Sequence, residues 1–275
     1  MEKQMQTDEF LCPPEYTEEK PGRTYRNITH ITYFSKTTGS ERGANVLLPA
    51  GYREDKKYPV IYFMHGIFCH EGTMLYDENS MIPEILGNMA DAGEAREVIA
   101  VFANIYVTSD PNMAPGFNPE SIIPYDHCID DLVNDLDPYI TEHYSVLEGP
   151  ENKAILGFSM GGREALYIGL VRSDLFGYIC AVAPAPGLIP GKDWAMEHPG
   201  MLSVEELEVV KKDTPPGLIV LCRGSKDSVV GRFPVEYHEL MEQKGIEHLW
   251  FEIPGYEHGE PITQCGLYNL MKRWK

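Results

Sequence analysis

Six short apolar runs alternate along this chain with segments that have helical spacing, and this alternation restricts the fold more than any other feature. The runs cover residues 59–66, 97–106, 153–158, 178–186, 217–225 and 248–255. Strands that are apolar along their whole length are typical of a parallel sheet covered on both faces. Helix-like segments lie at 80–93, 125–144, 160–172, 234–245 and 263–274. The pattern predicts a three-layer α/β fold with a mostly parallel central sheet.

The chain shows neither a repeat nor a compositional break, so we expect a single domain over residues 23–275. Residues 1–22 are polar and contain three prolines, which predicts an N-terminal arm. Two runs rich in β-branched and aromatic residues on either side of Thr37–Ser40 predict a β-hairpin before the first central strand. The long connection at 187–213 is a candidate cap over a cleft, and Pro138 is expected to kink or end its helix.

One serine lies between glycines at the junction of the third apolar run and the following helix-like segment. The sequence Gly157-Phe158-Ser159-Met160-Gly161 has the G-x-S-x-G pattern, with a strand predicted before it and a helix after it. Such a turn is sharp, so its neighbouring residues must be small, and the start of the helix favours negative charge that develops nearby. We therefore predict that Ser159 is a catalytic nucleophile rather than a chance serine in a glycine-rich turn.

A serine nucleophile needs a base to take its proton and an acid to orient that base, in the chain order serine, acid, histidine. Among the nine histidines, His258 fits the base best because it follows the sixth apolar run in a glycine-bracketed loop. Functional groups of α/β folds collect at the carboxyl ends of strands. Asp227 follows the fifth run in the same way and is the predicted acid, while Asp193 and Asp213 compete from the candidate cap.

Two backbone amides must stabilise the oxyanion in this chemistry, one just after the nucleophile and one after the first central strand. We assign the first to Met160 and the second to Ile67, which follows a histidine-glycine pair. His65 is interpreted as a structural hydrogen-bonding residue. His65, His70 and Glu71 lack further ligands at matching spacing, so neither a metal nor another cofactor is expected.

The composition excludes some partners and leaves other properties open. A net charge of −19 argues against DNA or RNA as a partner, and no apolar stretch approaches the length of a membrane span. The first residues lack the apolar core of a signal peptide, so we expect either an intracellular protein or a mature form. Among the six scattered cysteines, Cys180 and Cys222 are predicted core residues, and one disulfide among the other four stays open.

Five short strings together give the chain a family resemblance. They are FMHGIF, GFSMGGREALYIGL, VAPAPG, RGSKD and PGYEHGE, within a resemblance that runs from about residue 25 to the end. The chain resembles the feruloyl esterases of carbohydrate esterase family 1, which are often joined to xylanases. The resemblance implies an α/β-hydrolase fold and release of ferulic and p-coumaric acids esterified to arabinoxylan, without a cofactor. It also implies secretion, and membership of a larger cell-wall-degrading enzyme or complex.

Carried over to this sequence, the resemblance makes Ser159 the nucleophile, His258 the base and then the acid, and Asp227 the residue that orients His258. Many members of the family have HG-x-GG in the oxyanion loop, whereas Phe68 and Cys69 stand at the last two of these positions here. We expect this bulk to affect the shape of the acyl pocket.

An aromatic acid needs an apolar slot with a polar end, and four residues are predicted to contact it. They are Trp194 in the candidate cap, and Phe68, Cys69 and Tyr106 at or just after strand ends. Alternatives remain open: an acetylxylan esterase, a thioesterase acting on S-formylglutathione, or, in another class, a catalytically silent binding protein of the same fold. Retention of all three reactive residues in order argues against the silent protein. A monomer is the default expectation.

Overall fold

The computed structural model describes residues 9–77, 79–110 and 112–274, and its centre is an eight-stranded sheet. The strands in chain order are β1 (Asn27–Ser35), β2 (Ser40–Leu48), β3 (Val60–Met64), β4 (Ile99–Ala103), β5 (Lys153–Phe158), β6 (Tyr178–Val182), β7 (Gly191–Lys192), β8 (Glu197–His198), β9 (Leu218–Gly224) and β10 (Leu249–Ile253). Strands β7 and β8 form a separate hairpin, and the sheet order is β1-β2-β4-β3-β5-β6-β9-β10. Strand β2 pairs antiparallel with both of its neighbours, β1 and β4, and the other strand pairs of this sheet are parallel.

Each of the six predicted apolar runs contains one parallel strand of this sheet, which confirms the predicted sheet. Strand β3 shows why such runs are apolar throughout, because all five of its residues are buried. Alternate residues of a strand point to opposite faces. Tyr62 and Met64 accordingly belong to the hydrophobic core on one face, and Ile61 and Phe63 belong to the core on the other.

Helices cover both faces of the sheet and complete three layers. They are α1 (Pro14–Thr17), α2 (Thr73–Tyr76), α3 (Ile82–Asp91), α4 (Pro119–Asp126), α5 (Cys128–Asp131), α6 (Asp137–His143), α7 (Met160–Val171), α8 (Phe233–Gln243) and α9 (Glu260–Arg273). Helices α3 and α9 supply the core on the Phe63 face, and α4 to α8 supply the core on the Tyr62 face. None of the described helices combines the length and the apolar character that a membrane span requires.

The helix predicted over residues 125–144 begins earlier and contains an irregular turn. The Asn118 side chain caps its start by accepting a hydrogen bond from the Ser121 amide at 3.0 Å. A π-helical turn at Leu132–Leu136 then lies directly before Pro138. A proline ring crowds the carbonyl four residues earlier in a regular helix. The wider turn lies where that conflict would occur, and the helical path continues past Pro138 into α6 instead of ending.

The described part of the predicted N-terminal arm packs against the domain, whereas residues 1–8 lie outside the described residues. Phe10 stacks on Phe251 with 4.6 Å between ring centroids, and its carbonyl accepts a hydrogen bond from the Asn269 side chain at 2.7 Å. Tyr16 is buried and stacks on Tyr268. The arm therefore contributes apolar side chains to the core beside α9, which its polar composition did not indicate.

The candidate cap at 187–213 contains the β7–β8 hairpin and, among its described residues, no helix. It follows β6 at the edge where the parallel strands end. The loops after β3, β4, β5, β9 and β10 leave the sheet at that same edge, because parallel strands share one direction. This edge brings together residues that are far apart in the chain.

Candidate active site

Ser159 occupies a strained turn between β5 and α7. Its backbone angles are φ 57° and ψ −117°, a combination that side-chain-bearing residues rarely adopt. A Cβ on Gly157 would lie 1.9 Å from the carbonyl oxygen of Gly161, and a Cβ on Gly161 would lie 2.1 Å from the carbonyl oxygen of Met64. The Ser159 amide donates to the Val182 carbonyl at 2.9 Å. Only glycines permit this close approach of chain segments, and the turn holds the serine at the carboxyl edge of the sheet.

Asp227 and His258 form a hydrogen-bonded pair at the same edge. The His258 Nδ1 and Asp227 Oδ2 atoms are 2.7 Å apart, and the Asp227 side chain is fully buried. The other carboxylate oxygen accepts hydrogen bonds from the amides of Val229–Val230 at 3.0 and 3.2 Å. A carboxylate so placed keeps the proton on Nδ1 and leaves Nε2 to exchange protons. The imidazole lies against Phe158, 4.6 Å between ring centroids, and thus beside the residue preceding Ser159.

The two competing carboxylates lie elsewhere. Asp193 accepts hydrogen bonds from His198 Nε2 at 3.0 Å and from the amides of Ala195 and Met196 at 2.8 Å each, all within the β7–β8 hairpin. Asp213 is exposed near the end of the candidate cap. Neither is the carboxylate that His258 contacts.

The loop after β3 passes directly beside Ser159. A Cβ on Gly66 would lie 3.6 Å from the Cβ of Ser159, and the Gly66 carbonyl accepts a hydrogen bond from the Cys69 amide at 3.3 Å, which closes a turn. The Ile67 amide within that turn has no hydrogen-bond acceptor among the described residues. Met160 begins α7, and the first amides of a helix have no acceptor within the helix. The two predicted oxyanion donors thus border the serine.

His65 fixes the start of this loop. Its Nδ1 hydrogen-bonds to the Gly66 carbonyl at 2.8 Å, so Nδ1 carries the proton, and its Nε2 accepts from the Ile105 amide at 3.1 Å. Burial lowers the pKa of His65 to about 4. Both ring nitrogens are therefore occupied by the backbone, and the imidazole stays neutral at neutral pH. This is the structural arrangement expected of His65.

Phe68 stands in a conformation that glycine adopts without strain. Its φ of 65° lies in the left-handed region, which matches the glycine that the HG-x-GG pattern has at this position. Its amide donates to the Tyr125 hydroxyl at 3.3 Å, and its ring makes an edge contact with Phe117. The Phe68 side chain is half-exposed, so its bulk lies on the surface beside the oxyanion loop.

Three exposed aromatic side chains form a continuous surface, which we call the aromatic wall: Phe68, Phe117 and Trp194. Ring centroids are 5.1 Å apart between Phe68 and Phe117 and 5.2 Å apart between Phe117 and Trp194. Their exposed fractions are 54%, 49% and 75%. The wall links the oxyanion loop to the β7–β8 hairpin. Exposed apolar patches of this kind mark binding sites. Sequence reasoning missed Phe117, whose proline- and glycine-rich loop has no periodic pattern.

Tyr106 and Cys69, the other predicted contact residues, lie on the two loops that flank this site. The Tyr106 ring packs against Tyr125 with 4.9 Å between centroids, and its hydroxyl is buried without a hydrogen-bond partner among the described residues. Cys69 is half-buried at the end of the Gly66 turn. Cys69 lies in the oxyanion loop itself and Tyr106 lies on the loop after β4, and neither belongs to the aromatic wall.

The side chains considered for a metal are engaged in other contacts. His70 Nδ1 accepts from the Gly72 amide at 3.1 Å, and Glu71 accepts from the Asn104 side chain at 2.9 Å. Across the described ranges, no three histidine, cysteine, aspartate or glutamate side chains are grouped as metal ligands.

Comparison with known proteins identifies relatives along nearly the whole chain. The sequence model of the esterase family, described as a putative esterase, matches residues 35–244. The chain is 43% identical to a CE1 ferulic acid esterase of Anaeromyces mucronatus solved in complex with ferulic acid. That similarity covers 96% of each chain with a TM-score of 0.90.

Two further relatives are more distant or only partly covered. A curated endo-1,4-beta-xylanase/feruloyl esterase of Xylanibacter ruminicola is 30% identical over 159 residues, which are 55% of this chain and 21% of that protein. The chain thus spans about a fifth of that relative's length. An S-formylglutathione hydrolase of Staphylococcus aureus is 14% identical with a TM-score of 0.66, covering 90% of this chain and 98% of that one, and shows the shared fold alone.

These similarities confirm the predicted α/β-hydrolase fold and the predicted resemblance. The family match covers well over half of the chain, and the 43% identity extends over almost all of it. The chain therefore belongs to the esterase family and, within it, to the CE1 ferulic acid esterases.

Proposed function

We propose that this chain is a serine esterase that hydrolyses feruloyl and related hydroxycinnamoyl esters of plant cell-wall arabinoxylan through an acyl-enzyme. The observation that carries the proposal is the strained Ser159 turn beside the hydrogen-bonded pair of Asp227 and His258. Full-length similarity to a ferulic acid esterase with ferulic acid bound supports the acyl group.

The reaction follows from the positions of these groups. The Ser159 hydroxyl attacks the ester carbonyl while His258 Nε2 takes its proton, and buried Asp227 stabilises the imidazolium that forms. The amides of Ile67 and Met160 stabilise the oxyanion, and each such donor typically contributes on the order of 10²–10³ in rate. His258 then protonates the departing sugar oxygen. Water repeats the sequence on the acyl-enzyme and releases the hydroxycinnamic acid.

The aromatic wall supports an aromatic acyl group over an acetyl group. Burying an aromatic ring against such side chains contributes about 1.5–3 kcal/mol that an acetyl group would not obtain. Phe68 attaches the wall to the oxyanion loop, so a ring extending from the reacting carbonyl has an apolar surface beside it.

The wider setting of the enzyme forms part of the same proposal. Arabinoxylan is a polymer that does not cross membranes, so the enzyme would meet it outside the cell as a secreted protein. The relative that combines a xylanase with a feruloyl esterase supports action within a larger cell-wall-degrading enzyme. We propose that the chain itself acts as a monomer.

Two esters with the same leaving group test the proposal. Because 4-nitrophenyl ferulate and 4-nitrophenyl acetate differ only in the acyl group, their kcat/KM ratio reports the acyl pocket. We expect the ferulate ester to be preferred by at least about tenfold, from burial of the ring. Higher kcat/KM on the acetate would favour an acetylxylan esterase, and higher kcat/KM on S-formylglutathione would favour a thioesterase. Either result would contradict the proposal.

A further inference from the structure

Arg223 is a buried cation beside the proposed acid, and the mechanism above does not use it. It lies on β9, four residues before Asp227, and is 8% exposed. A buried guanidinium is costly unless it is paired and hydrogen-bonded. Its Nε donates to Oε1 of Glu252 at 2.8 Å, and these two residues are register partners on β9 and β10. Arg223 therefore links the strand that precedes the acid to the strand that precedes the base.

The rest of the Arg223 guanidinium faces the loop that carries the acid. Its Nη1 donates to the Gly231 carbonyl, and its Nη2 lies 3.5 Å from the Ser225 carbonyl. These two carbonyls belong to the first and last residues of the segment 225–231, which we call the acid loop. A guanidinium is planar and presents its donors at fixed angles. Arg223 thus fixes both ends of the acid loop relative to each other and to β10.

The acid loop is in turn joined to the loop that carries the base. The Ser225 hydroxyl accepts a hydrogen bond from the Gly255 amide at 2.9 Å, and the Lys226 amide donates to the Tyr256 carbonyl at 2.9 Å. A Cβ on Gly224 would collide with the Tyr256 carbonyl oxygen, so the two loops touch along their backbones. A displacement of the acid loop would therefore also displace the base.

We propose that Arg223, paired with Glu252, is a positioning residue that sets the hydrogen bond between Asp227 and His258. The inference rests on the proposed function, in which Asp227 is the acid. The amides of residues 229–230 hold one oxygen of the Asp227 carboxylate, so the orientation of that carboxylate follows the acid loop. Arg223 is buried and faces protein acceptors, so it acts through this loop and not on the substrate. A misplacement of about 1 Å in such a site can cost on the order of 10² in rate.

A double-mutant cycle on methyl ferulate hydrolysis tests the proposal. Arg223→Gln should lower kcat about 10- to 100-fold, because the acid loop loses its support. Asp227→Ala alone should lower kcat on the order of 10⁴-fold. In the Asp227→Ala background, Arg223→Gln should cost no more than about twofold, because the hydrogen bond that Arg223 sets is already gone. A merely structural role of Arg223 would lower kcat by the same factor in both backgrounds.

A second variant and a matched control accompany the cycle. Glu252→Ala removes the partner of Arg223 from a side chain that is 40% exposed, and it should lower kcat about threefold or more with the same dependence on Asp227. This variant decides the question if Arg223→Gln does not fold. Arg232→Gln changes an exposed arginine directly after the acid loop and should keep kcat within about twofold of wild type.

Proton NMR gives a readout that does not depend on turnover. The His258 Nδ1 proton, hydrogen-bonded to the Asp227 carboxylate, should give a strongly downfield resonance that is absent in Asp227→Ala. We expect this resonance to shift or disappear in Arg223→Gln and to stay in place in Arg232→Gln.

Either of two results would overturn the inference: equal fold losses from Arg223→Gln with and without Asp227, or an unchanged kcat with an unchanged resonance. Failure of the proposed function looks different. A wild type that prefers 4-nitrophenyl acetate to 4-nitrophenyl ferulate would contradict the proposed substrate, and the same cycle on the acetate would still decide the role of Arg223. A near wild-type kcat in Asp227→Ala would contradict the proposed mechanism and overturn the inference with it.

Discussion

His65 lies between the loops that follow β3 and β4 and hydrogen-bonds to both. Arg42 supports the second loop from β2, because its guanidinium donates to the carbonyl oxygens of Asn104 at 2.6 Å and Tyr106 at 3.2 Å. The Ile105 amide between those carbonyls then reaches His65. The position of the Ile67 amide thus depends on a series of hydrogen bonds that begins on β2, two strands away from β3 in the sheet. We expect substitutions of the residues in this hydrogen-bonded series to change kcat, although those residues do not touch the substrate.

The low pKa of His65 predicts how stability depends on pH. The histidine has an ordinary pKa near 6.5, and burial lowers it to about 4 in the folded protein. Between these values the unfolded chain binds a proton and the folded chain does not, so stability falls as pH falls through this window. We expect a loss of about 2 kcal/mol from this group between pH 7 and pH 5.

Urea unfolding at pH 7 and pH 5 measures this effect. His65→Ala should be less stable than wild type at pH 7 and should show a shallower loss on going to pH 5. His143→Gln replaces an exposed histidine and should keep the wild-type loss. The same pH dependence in His65→Ala and wild type would contradict the assignment.

The β7–β8 hairpin holds the side chain of Trp194 in an exposed position. Asp193 hydrogen-bonds to the two residues after Trp194 and to His198, which fixes the turn on both sides of the indole. Trp194 itself is largely exposed and contacts Phe117. Because an exposed ring contributes little to folding, its placement is better explained by binding.

Trp194→Ala should therefore reduce substrate recognition and leave stability nearly unchanged. We expect kcat/KM for methyl ferulate to fall about tenfold, from the loss of apolar contact with the ring, and kcat/KM for 4-nitrophenyl acetate to stay within about twofold. The melting temperature should change by less than about 2 °C. Phe34→Ala removes another largely exposed ring from β1, on the far edge strand, as a control. An unchanged methyl ferulate reaction in Trp194→Ala would exclude the aromatic wall from the acyl site.

The elements that sequence reasoning predicted are those with a local pattern. Strand β5 and the turn at Ser159 follow from an apolar run and two glycines, and Asp227 and His258 follow from their place after strands. The left-handed backbone of Phe68 was not predictable from the residue, because only a glycine there would have signalled it. The described part of the N-terminal arm gave no local signal of its packing either.

Tertiary packing alone brings the remaining parts of the site together. Phe117 meets Trp194 because the loop before α4 packs against the β7–β8 hairpin, and the two residues have no spacing in the sequence that could reveal this contact. The contact completes the aromatic wall, which we propose as the surface that binds the acyl group. Substrate preference was therefore less accessible to sequence reasoning than the reaction type.

At the scale of the whole molecule, the site is assembled from loops that follow five strands of one sheet. The proposed nucleophile, base and acid and the oxyanion loop lie far apart in the sequence, and they meet only when β3, β5, β9 and β10 are in register. The proposed chemistry therefore depends on one atom, the Ser159 hydroxyl oxygen. Removing that oxygen leaves the sheet and the pockets in place.

The most direct test of this claim is the release of 4-nitrophenol from 4-nitrophenyl ferulate by wild type and Ser159→Ala, with the acid-quenched proteins analysed by mass spectrometry. We predict that wild type gains the mass of one feruloyl group on the peptide that contains Ser159. We predict that the variant gains none and that its kcat falls by at least about 10⁴-fold. Ferulate ester hydrolysis that survives in Ser159→Ala, or a feruloyl group found on another residue, would contradict the account.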